Sequence, residues 1–204
     1  MATRSAKKSP SARLDRAAVL EASRRIVNRD GFHELTIAAL ATELDRHASS
    51  LYNHVDGLEG LRRDVVVIAL RELGQRLRDA VLGRGGAAGL RALADAYREF
   101  ARTEPGLFEA ATSWRKASVH VDELRDAAES AGQAIHAVMR SFGLEDDDVI
   151  HATRAFSGAV VGFIRAENQT YGDPGPNLDD TFNRLIDLFV LGLSGGWPAR
   201  HNDS

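Results

Sequence analysis

The sequence predicts an all-α protein, and three observations lead to this fold class. Apolar residues recur three and four positions apart through most of the chain, which is the spacing of one face of an α-helix. No segment shows the alternation of apolar and polar residues that a half-buried strand requires. Glycine or proline separates the helical segments, as at Gly31, Gly57, Pro105 and Gly143. We expect a three-helix N-terminal domain followed by a larger helical domain.

The beginning of the chain divides into an arm and a first helix. Residues 1–12 are rich in Lys, Arg, Ser and Pro with almost nothing to bury, which predicts a flexible basic arm. Such an arm would serve either as a solubilising tail or as a DNA contact. From Arg13 to Asp30 the apolar positions, among them Leu14 and Ile26, indicate a helix that ends at Gly31.

Residues 35–61 indicate two short helices that meet at a tight turn. Thr36 is placed to cap the first of them, which ends at a polar run. The second begins near residues 47–48 and carries Leu51 and Val55 on one face. Its other face holds small polar side chains, which are free to read base edges in a DNA major groove. The stretch is therefore predicted to be a helix-turn-helix.

Side chains around this turn are expected to contact DNA in two ways. Those on the exposed face of the second helix, His47, Ser49, Ser50 and Asn53, are expected to read bases. Thr36, Tyr52 and His54 are expected to contact the DNA backbone instead. The full predicted set is Thr36, Arg46, His47, Ala48, Ser49, Ser50, Tyr52, Asn53 and His54.

The same stretch resembles the DNA-binding domain of the TetR family of transcriptional regulators. The residues that match the family pattern T-x-x-x-L-A-x-x-L-G-V-S-x-x-x-L-Y-x-H-F are Thr36, Leu40, Ala41, Leu44, Leu51, Tyr52 and His54. Asp45 replaces the turn glycine of the family, and aspartate visits the left-handed conformation more readily than most residues. His47 replaces the usual capping serine. Leu58 stands where a lysine commonly anchors a phosphate.

This resemblance implies a ligand-responsive, DNA-binding transcriptional regulator. It implies a repressor that a small molecule releases from its DNA operator, and a homodimer that presents two recognition helices. It also implies that the first helix packs across the helix-turn-helix and that Phe32 fills the small core beneath it.

Charge and composition are compatible with this function. The formal net charge is −3, but residues 1–63 hold 11 Lys and Arg against 8 Asp and Glu, whereas residues 64–204 hold 15 against 21. Only the N-terminal part therefore attracts phosphates. Without cysteine, disulfides and thiolate metal sites are excluded. No apolar run reaches the ~18 residues of a membrane span, and the N-terminus lacks a hydrophobic signal core, so we expect a cytoplasmic protein without a membrane partner.

The remaining elements are expected to be helices joined by loops. We expect them over residues 58–81, 90–102, 107–116, 122–142, 146–169 and 178–194. The first of these is long enough to act as a lever between two domains. The glycine-rich residues 82–89 are expected to be a flexible connection, because no strand precedes them and no Gly-Lys-Ser/Thr follows. The acidic residues 146–148 are expected to favour a helix N-terminus rather than to bind a metal.

The last two predicted helices are apolar on more than one face, which a single intrachain core does not need. We expect part of this surface to form a homodimer that places two recognition helices on a palindromic operator. The predicted dimerisation residues are Phe156, Val160, Phe182, Ile186, Phe189 and Leu193. Residues 154–172 also resemble, weakly, the C-terminal domain of the TetR subfamily named for its Trp-His-Gly signature.

Large side chains of the middle helices are candidates for an effector site. They are Phe100, Phe108, Trp114, His136, Met139 and Phe163. Most side chains of this kind fill a core, so packing is the alternative to ligand contact for each of them. Trp114 and Phe108 flank the break at residues 105–106, where a short helix leaves packing incomplete. We expect an apolar or amphipathic small molecule as the effector.

Other classes of function find less support. The sequence has no nucleophile elbow, zinc-protease helix motif, cysteine nucleophile or glycine fingerprint after a strand, so we expect neither an enzyme nor a cofactor or metal site. An all-α adaptor that binds proteins without sequence-specific DNA binding is the alternative.

We divide the chain into a basic arm (1–12), a helix-turn-helix domain (13–63), an effector-binding and dimerisation domain (64–196) and a tail (197–204).

Overall fold

The computed structural model describes residues 14–113, 122–169 and 175–197, which form helices and connecting loops without a strand. The all-α fold class is thus confirmed for this part of the chain. The helices are α1 (Arg16–Asp30), α2 (Ile37–Glu43), α3 (Ala48–Leu51), α4 (Gly57–Ala80), α5 (Gly86–Thr103), α6 (Pro105–Ser113), α7 (Asp122–Arg140), α8 (Asp146–Gln169) and α9 (Leu178–Ser194). A 3₁₀ turn at Phe32–Glu34 joins α1 to α2.

The starts of α5 and α6 and the packing of the predicted tail differ from expectation, each for a local reason. α5 begins at Gly86 rather than at Leu90, because the Gly86 N–H donates a hydrogen bond to the Ser141 hydroxyl (2.7 Å). Pro105 begins α6 instead of breaking a helix, since the first helical position needs no N–H. Trp197, expected in a frayed tail, packs against the core.

A contiguous core of apolar side chains extends from α1 to α9. α1 contributes Val19 and Ile26, which are fully buried. α4 runs through this core and buries side chains along its length. It packs most extensively against α7, where a Cβ on Gly74 would lie only 2.9 Å from the Ala131 Cα. The packing is therefore continuous across residue 63, where the sequence predicts a domain boundary.

The end of α1 contacts the start of α6 at a site that we name the α1–α6 junction, formed by Val27, Asn28, Glu104 and Gly106. Gly106 lies so close to α1 that a Cβ on it would be 1.9 Å from the Val27 carbonyl oxygen. The Asn28 side-chain oxygen accepts hydrogen bonds from the N–H groups of Gly106 (3.0 Å) and Leu107 (3.3 Å). A residue of α1 thus satisfies the first free N–H groups of α6.

Charged groups strengthen the α1–α6 junction. Arg24 of α1 donates hydrogen bonds to Glu72 of α4 (2.7 Å) and to Glu104, and Asn28 also donates to Glu104. Burial raises the pKa of Glu104, but the hydrogen bonds from Arg24 and Asn28 outweigh it, so this pKa lies below its ordinary value. The ionised carboxylate therefore stabilises the fold above the ordinary pKa. This stabilisation is lost as the pH falls through the lowered pKa.

A second contact holds the 3₁₀ turn against α6. The Glu109 carboxylate accepts a hydrogen bond from the Phe32 N–H (2.8 Å). Phe32 itself is 6% exposed, which confirms its expected place in the core. α6 therefore fixes both the end of α1 and the segment that leads into α2.

Gly106→Ala should lower the free energy of unfolding, because the added methyl group cannot fit beside the Val27 carbonyl without a shift of α1 or α6. Overpacking of this kind typically costs ~1–3 kcal/mol. Gly132→Ala in α7 is the matched control, since its Cβ would lie 3.8 Å from the His136 ring, an ordinary contact. Urea unfolding should find the control at least as stable as the unmodified protein. Equal stability of the two variants would contradict the close packing at the junction.

Candidate nucleic-acid interface

α2 is the first helix of the predicted helix-turn-helix, and it starts as the sequence predicts. The Thr36 hydroxyl accepts a hydrogen bond from the Ala39 N–H (3.0 Å), so Thr36 caps the helix. Leu40 is fully buried and Ala41 is 8% exposed. Because these side chains enter the core shared with α1, α2 has a fixed orientation on α1.

The turn after α2 is a Schellman motif. The Arg46 N–H donates to the Ala41 carbonyl oxygen (2.9 Å), and the Asp45 N–H donates to the Thr42 carbonyl oxygen (3.2 Å). This motif places one residue in the left-handed conformation, and Asp45 has a φ of 52°. The expectation that aspartate takes the place of the family's turn glycine is confirmed.

α3, the predicted recognition helix, is shorter than expected. After Leu51 the His54 N–H donates to the Leu51 carbonyl oxygen three residues back (2.8 Å), which tightens the chain into a turn. Leu51 is fully buried and Val55 is 7% exposed, so the predicted inner face is present. His47 precedes α3 without a side-chain capping bond. On the outer face, His47, Ala48, Ser49, Tyr52 and Asn53 are exposed to solvent.

The predicted DNA-contacting residues occupy the outer surface of this unit to different degrees. The exposed members are Thr36, His47, Ala48, Ser49, Tyr52 and Asn53, and the half-buried members are Arg46, Ser50 and His54. The Ser50 hydroxyl donates to the His47 carbonyl oxygen (2.7 Å), and Arg46 donates to the Asp45 carbonyl oxygen (3.0 Å). Ser49 and Asn53 thus present the most accessible polar groups for base reading, and their role in DNA contact stays a prediction.

Many arginines of the N-terminal helices hold this unit together. Arg25 and Arg29 both donate to Glu43, at 3.0 Å each. These hydrogen bonds lower the pKa of the Glu43 carboxyl group. Arg62 of α4 donates to two backbone carbonyl oxygens in the segment before α2. Much of the basic charge that the sequence places in this domain therefore serves to fix α1, α2 and α4 to one another.

The residues predicted to bind an effector belong mostly to the core. The buried members are Phe100, Phe108 and Met139, the half-buried members are His136 and Phe163, and Trp114 lies outside the described residues. Burial lowers the pKa of His136 and thereby favours its neutral form. Ligand contact by these six residues stays a prediction.

The residues predicted to form the dimer are mostly packed within one subunit. Phe156, Val160, Phe182, Ile186 and Leu193 are at most 3% exposed, and Phe189 is half-buried. The outward side of the same two helices carries other residues. On α9, Leu188 and Leu191 are 67% and 69% exposed, and on α8 a Cβ at Gly158 or Gly162 would meet nothing within 4 Å. The predicted six therefore support these helices from inside the subunit, and their contact with a partner stays a prediction.

The described residues offer neither a metal site nor a membrane-spanning helix. Within residues 14–113, 122–169 and 175–197, no three His, Asp or Glu side chains come together as a metal site would require. Asp146, Asp147 and Asp148 form the first turn of α8, the position that the helix dipole favours for acidic residues. In the same ranges no helix combines the length and the apolar content needed to cross a bilayer.

The sequence did not reveal the residues of the α1–α6 junction. Asn28 lies in an ordinary amphipathic pattern, and the Pro105–Gly106 pair predicts a helix break. The one usable signal was this pair itself, because glycine beside a helix start permits the close approach of another backbone.

Comparisons with known proteins are consistent with this geometry. Residues 90–189 match the family model described as "Tetracyclin repressor-like, C-terminal domain". An uncharacterized HTH-type transcriptional regulator of Mycobacterium tuberculosis is 34% identical over 189 residues, which cover 93% of this chain and 84% of that protein.

Solved structures share the fold. A TetR variant from Acinetobacter baumannii in complex with minocycline has a TM-score of 0.68 at 19% identity, with 92% of this chain and 100% of that chain covered. FadR from Bacillus subtilis in complex with stearoyl-CoA has a TM-score of 0.64 at 12% identity, with 86% and 98% covered. The Trp-His-Gly subfamily assignment stays a prediction. The chain belongs to the TetR family of HTH-type transcriptional regulators, and it is a DNA-binding regulator rather than a member of an enzyme family.

Proposed function

We propose that this protein is a cytoplasmic, homodimeric repressor that binds a palindromic operator and is released from it by an apolar or amphipathic small molecule. Each subunit presents α3 to the major groove of one half-site. The observation that carries the ligand response is the α1–α6 junction, where a residue of the DNA-binding helices caps a helix of the effector region.

Movement of α6 is expected to displace the DNA-binding helices. If α6 moved away from α1, the Gly106 and Leu107 N–H groups would lose their shared acceptor on Asn28, and unpaired N–H groups cost ~1–3 kcal/mol when buried. α1 would therefore follow α6. α2 packs against α1, and α3 packs against α2, so both would be displaced. Half-sites lie ~34 Å apart per helical turn of DNA, so a small shift in both subunits takes the two α3 helices out of register.

α4 offers a parallel route for the same signal. It begins at Gly57, whose φ of 66° allows a sharp change of direction directly after the recognition turn. From there it runs through the core to its close contact with α7. A tilt of α4 hinged near Gly57 would change the position of α3, as the lever role predicts. The size of the effect is limited by the ligand's preference for the non-binding conformation.

The chemistry of the middle helices supports an apolar or amphipathic effector. Phe100, Phe108 and Met139 supply a mainly apolar environment, and neutral His136 adds a hydrogen-bonding group without a charge. Two proteins of this fold bind minocycline and stearoyl-CoA, so the fold accommodates organic ligands. Trp114 is proposed as a further contact on the sequence argument alone.

The outward side of α8 and α9 is the surface that we assign to the dimer. Leu188 and Leu191 expose large apolar side chains there, which a second copy of the chain would bury. Gly158 and Gly162 would allow the two subunits' helices to approach closely. A two-fold axis through this surface gives each subunit the same contacts and presents two α3 helices on one side.

Two experiments test this proposal. The first selects the genomic fragments that the purified protein retains, and the second titrates one selected duplex with the protein. We expect a sequence-specific complex whose affinity falls steeply with salt concentration. Compounds handled by the products of adjacent genes should release the protein from this duplex. Retention no better than that of a scrambled duplex would contradict operator binding, and a complex insensitive to the whole compound panel would contradict the ligand response.

Ser49→Ala and Asn53→Ala should each weaken binding at particular base pairs, because their exposed polar groups are placed to contact base edges. The expected cost is ~1–3 kcal/mol for the preferred operator, with relaxed preference at the contacted position. Asn183→Ala, at an exposed position on α9, is the control and should leave affinity unchanged. Competition with operators that carry single base-pair changes provides the measurement. Unchanged operator preference in both α3 variants would show that the register assigned to α3 is wrong.

Leu191→Glu should convert the dimer into a folded monomer with weak operator binding, because the interface would leave the new carboxylate desolvated and unpaired. Leu191 is exposed in the subunit, so the substitution spares the internal core. Leu82→Glu introduces the same charge at another leucine, 74% exposed near the end of α4, and should remain dimeric. Sedimentation velocity distinguishes the two. An intact Leu191→Glu dimer would place the interface on a different surface.

A further inference from the structure

A phosphate anchor is missing from the position where the family usually has one. Leu58 occupies that position, and its apolar side chain cannot bind a phosphate. The lysines of the chain are Lys7, Lys8 and Lys116, all of which lie outside the described residues. Within the described helices α1 to α4, any cation that contacts the DNA backbone must therefore be an arginine or a protonated histidine.

Most arginines near the interface already have partners within the protein. Carboxylates bind Arg16, Arg24, Arg25 and Arg29, and backbone carbonyl oxygens bind Arg46 and Arg62. Arg63 differs from all of these. Across residues 14–113, 122–169 and 175–197, its guanidinium makes neither a hydrogen bond nor an ion pair. Its donors are therefore available for a ligand.

Arg63 lines a cavity of about 270 Å³ beside α3, which we name the α3–α4 cavity. Tyr52 and His54 from the turn after α3 form another wall, so the cavity adjoins the surface predicted to meet DNA. The Arg63 Nη2 atom lies near the first turn of α4, 3.5 Å from where a Cβ on Gly60 would be. A guanidinium presents several N–H donors in a planar fork that matches phosphate oxygens. The positive end of the α4 dipole adds to this attraction.

Two carboxylates, those of Asp56 and Asp64, also line the α3–α4 cavity, and they differ in how strongly they would repel a phosphate. Asp64 forms an ion pair with Arg16 (2.8 Å), which offsets the charge of both groups. Asp56 is exposed, precedes α4 and makes no capping bond with its side chain. It is therefore the acidic group that would oppose an entering phosphate. Removal of Asp56's charge and removal of Arg63's charge should consequently have opposite effects on DNA binding.

We infer that the α3–α4 cavity binds a phosphate group of the operator backbone, with Arg63 as the principal ligand in place of the lysine that Leu58 replaces. This inference rests on the proposed operator binding and adds a specific backbone contact to it. Tyr52 and His54 supply further hydrogen-bonding groups at the rim. Because every DNA sequence carries the same phosphates, the contact strengthens binding to all duplexes alike and fixes the position of α3 in the groove.

Fluorescence anisotropy at several KCl concentrations tests the inference, with a 30-base-pair duplex that carries the selected operator and with its scrambled counterpart. Arg63→Gln should weaken both complexes roughly ten- to hundredfold for each subunit that contacts the duplex, as expected for a hydrogen bond to a charged group. It should also reduce the slope of log K against log salt by about 2, because each subunit of the dimer loses one phosphate contact. Arg84→Gln, which removes the same charge beyond the far end of α4, is the control and should change neither quantity.

Two further variants separate a phosphate contact from a structural effect. Leu58→Lys combined with Arg63→Gln should restore affinity and slope, because it returns a cation to the usual anchoring position. Asp56→Asn should tighten both complexes, since asparagine remains a good residue before a helix and only the repulsion is removed. Failure of Asp56→Asn to tighten binding would overturn the inference even if Arg63→Gln did not fold.

The remaining outcomes are also decisive. If Arg63→Gln bound both duplexes with unchanged affinity and slope while the unmodified protein still preferred the operator, the inference would fail and the proposed function would stand. A loss confined to the operator duplex would assign Arg63 to base reading and overturn the backbone contact. If the unmodified protein did not distinguish the two duplexes, both proposals would fail.

Discussion

The hydrogen bonds from the N–H groups of Gly106 and Leu107 to Asn28 are the interaction on which the rest of this structure depends. A helix start needs acceptors for its free N–H groups, and α6 finds them on α1 rather than on its own preceding residues. The absence of a side chain at Gly106 lets the two backbones meet at this point. Because α2 packs against α1 and α3 packs against α2, the position of the DNA-binding surface is tied to the position of α6.

Charge pairing extends this constraint to a third helix. Arg24 bridges Glu72 of α4 and Glu104 at the start of α6, so α1, α4 and α6 meet around one guanidinium. The same use of arginine within the domain leaves few cations for DNA. Arg63, beside α3, is an exception because it has no partner among the described residues. A contiguous apolar core beneath these contacts joins the DNA-binding helices to the rest of the described chain.

Local rules explain why the helix-turn-helix could be predicted and the junction could not. The Thr36 cap and the left-handed Asp45 depend on residues within a few positions of each other, and the sequence displays such patterns directly. Asn28 and Gly106 are 78 positions apart, and nothing in their spacing indicates that their helices touch. The width of the apolar surface on α8 and α9 was likewise readable. The sequence did not show which side of these helices faces inward, because the buried Phe156 and the exposed Leu191 both fit the apolar pattern of a helix.

Hydrogen exchange at the Gly106 and Leu107 amides, with and without the selected operator duplex, tests the coupling of α6 to α1 most directly. DNA restrains α1, and Asn28 then holds these two N–H groups more persistently, so we expect slower exchange at both of them in the complex. In Asn28→Ala this slowing should disappear at α6 while it persists in α3. Unchanged exchange at Gly106 and Leu107 in a complex that protects α3 would contradict the coupling.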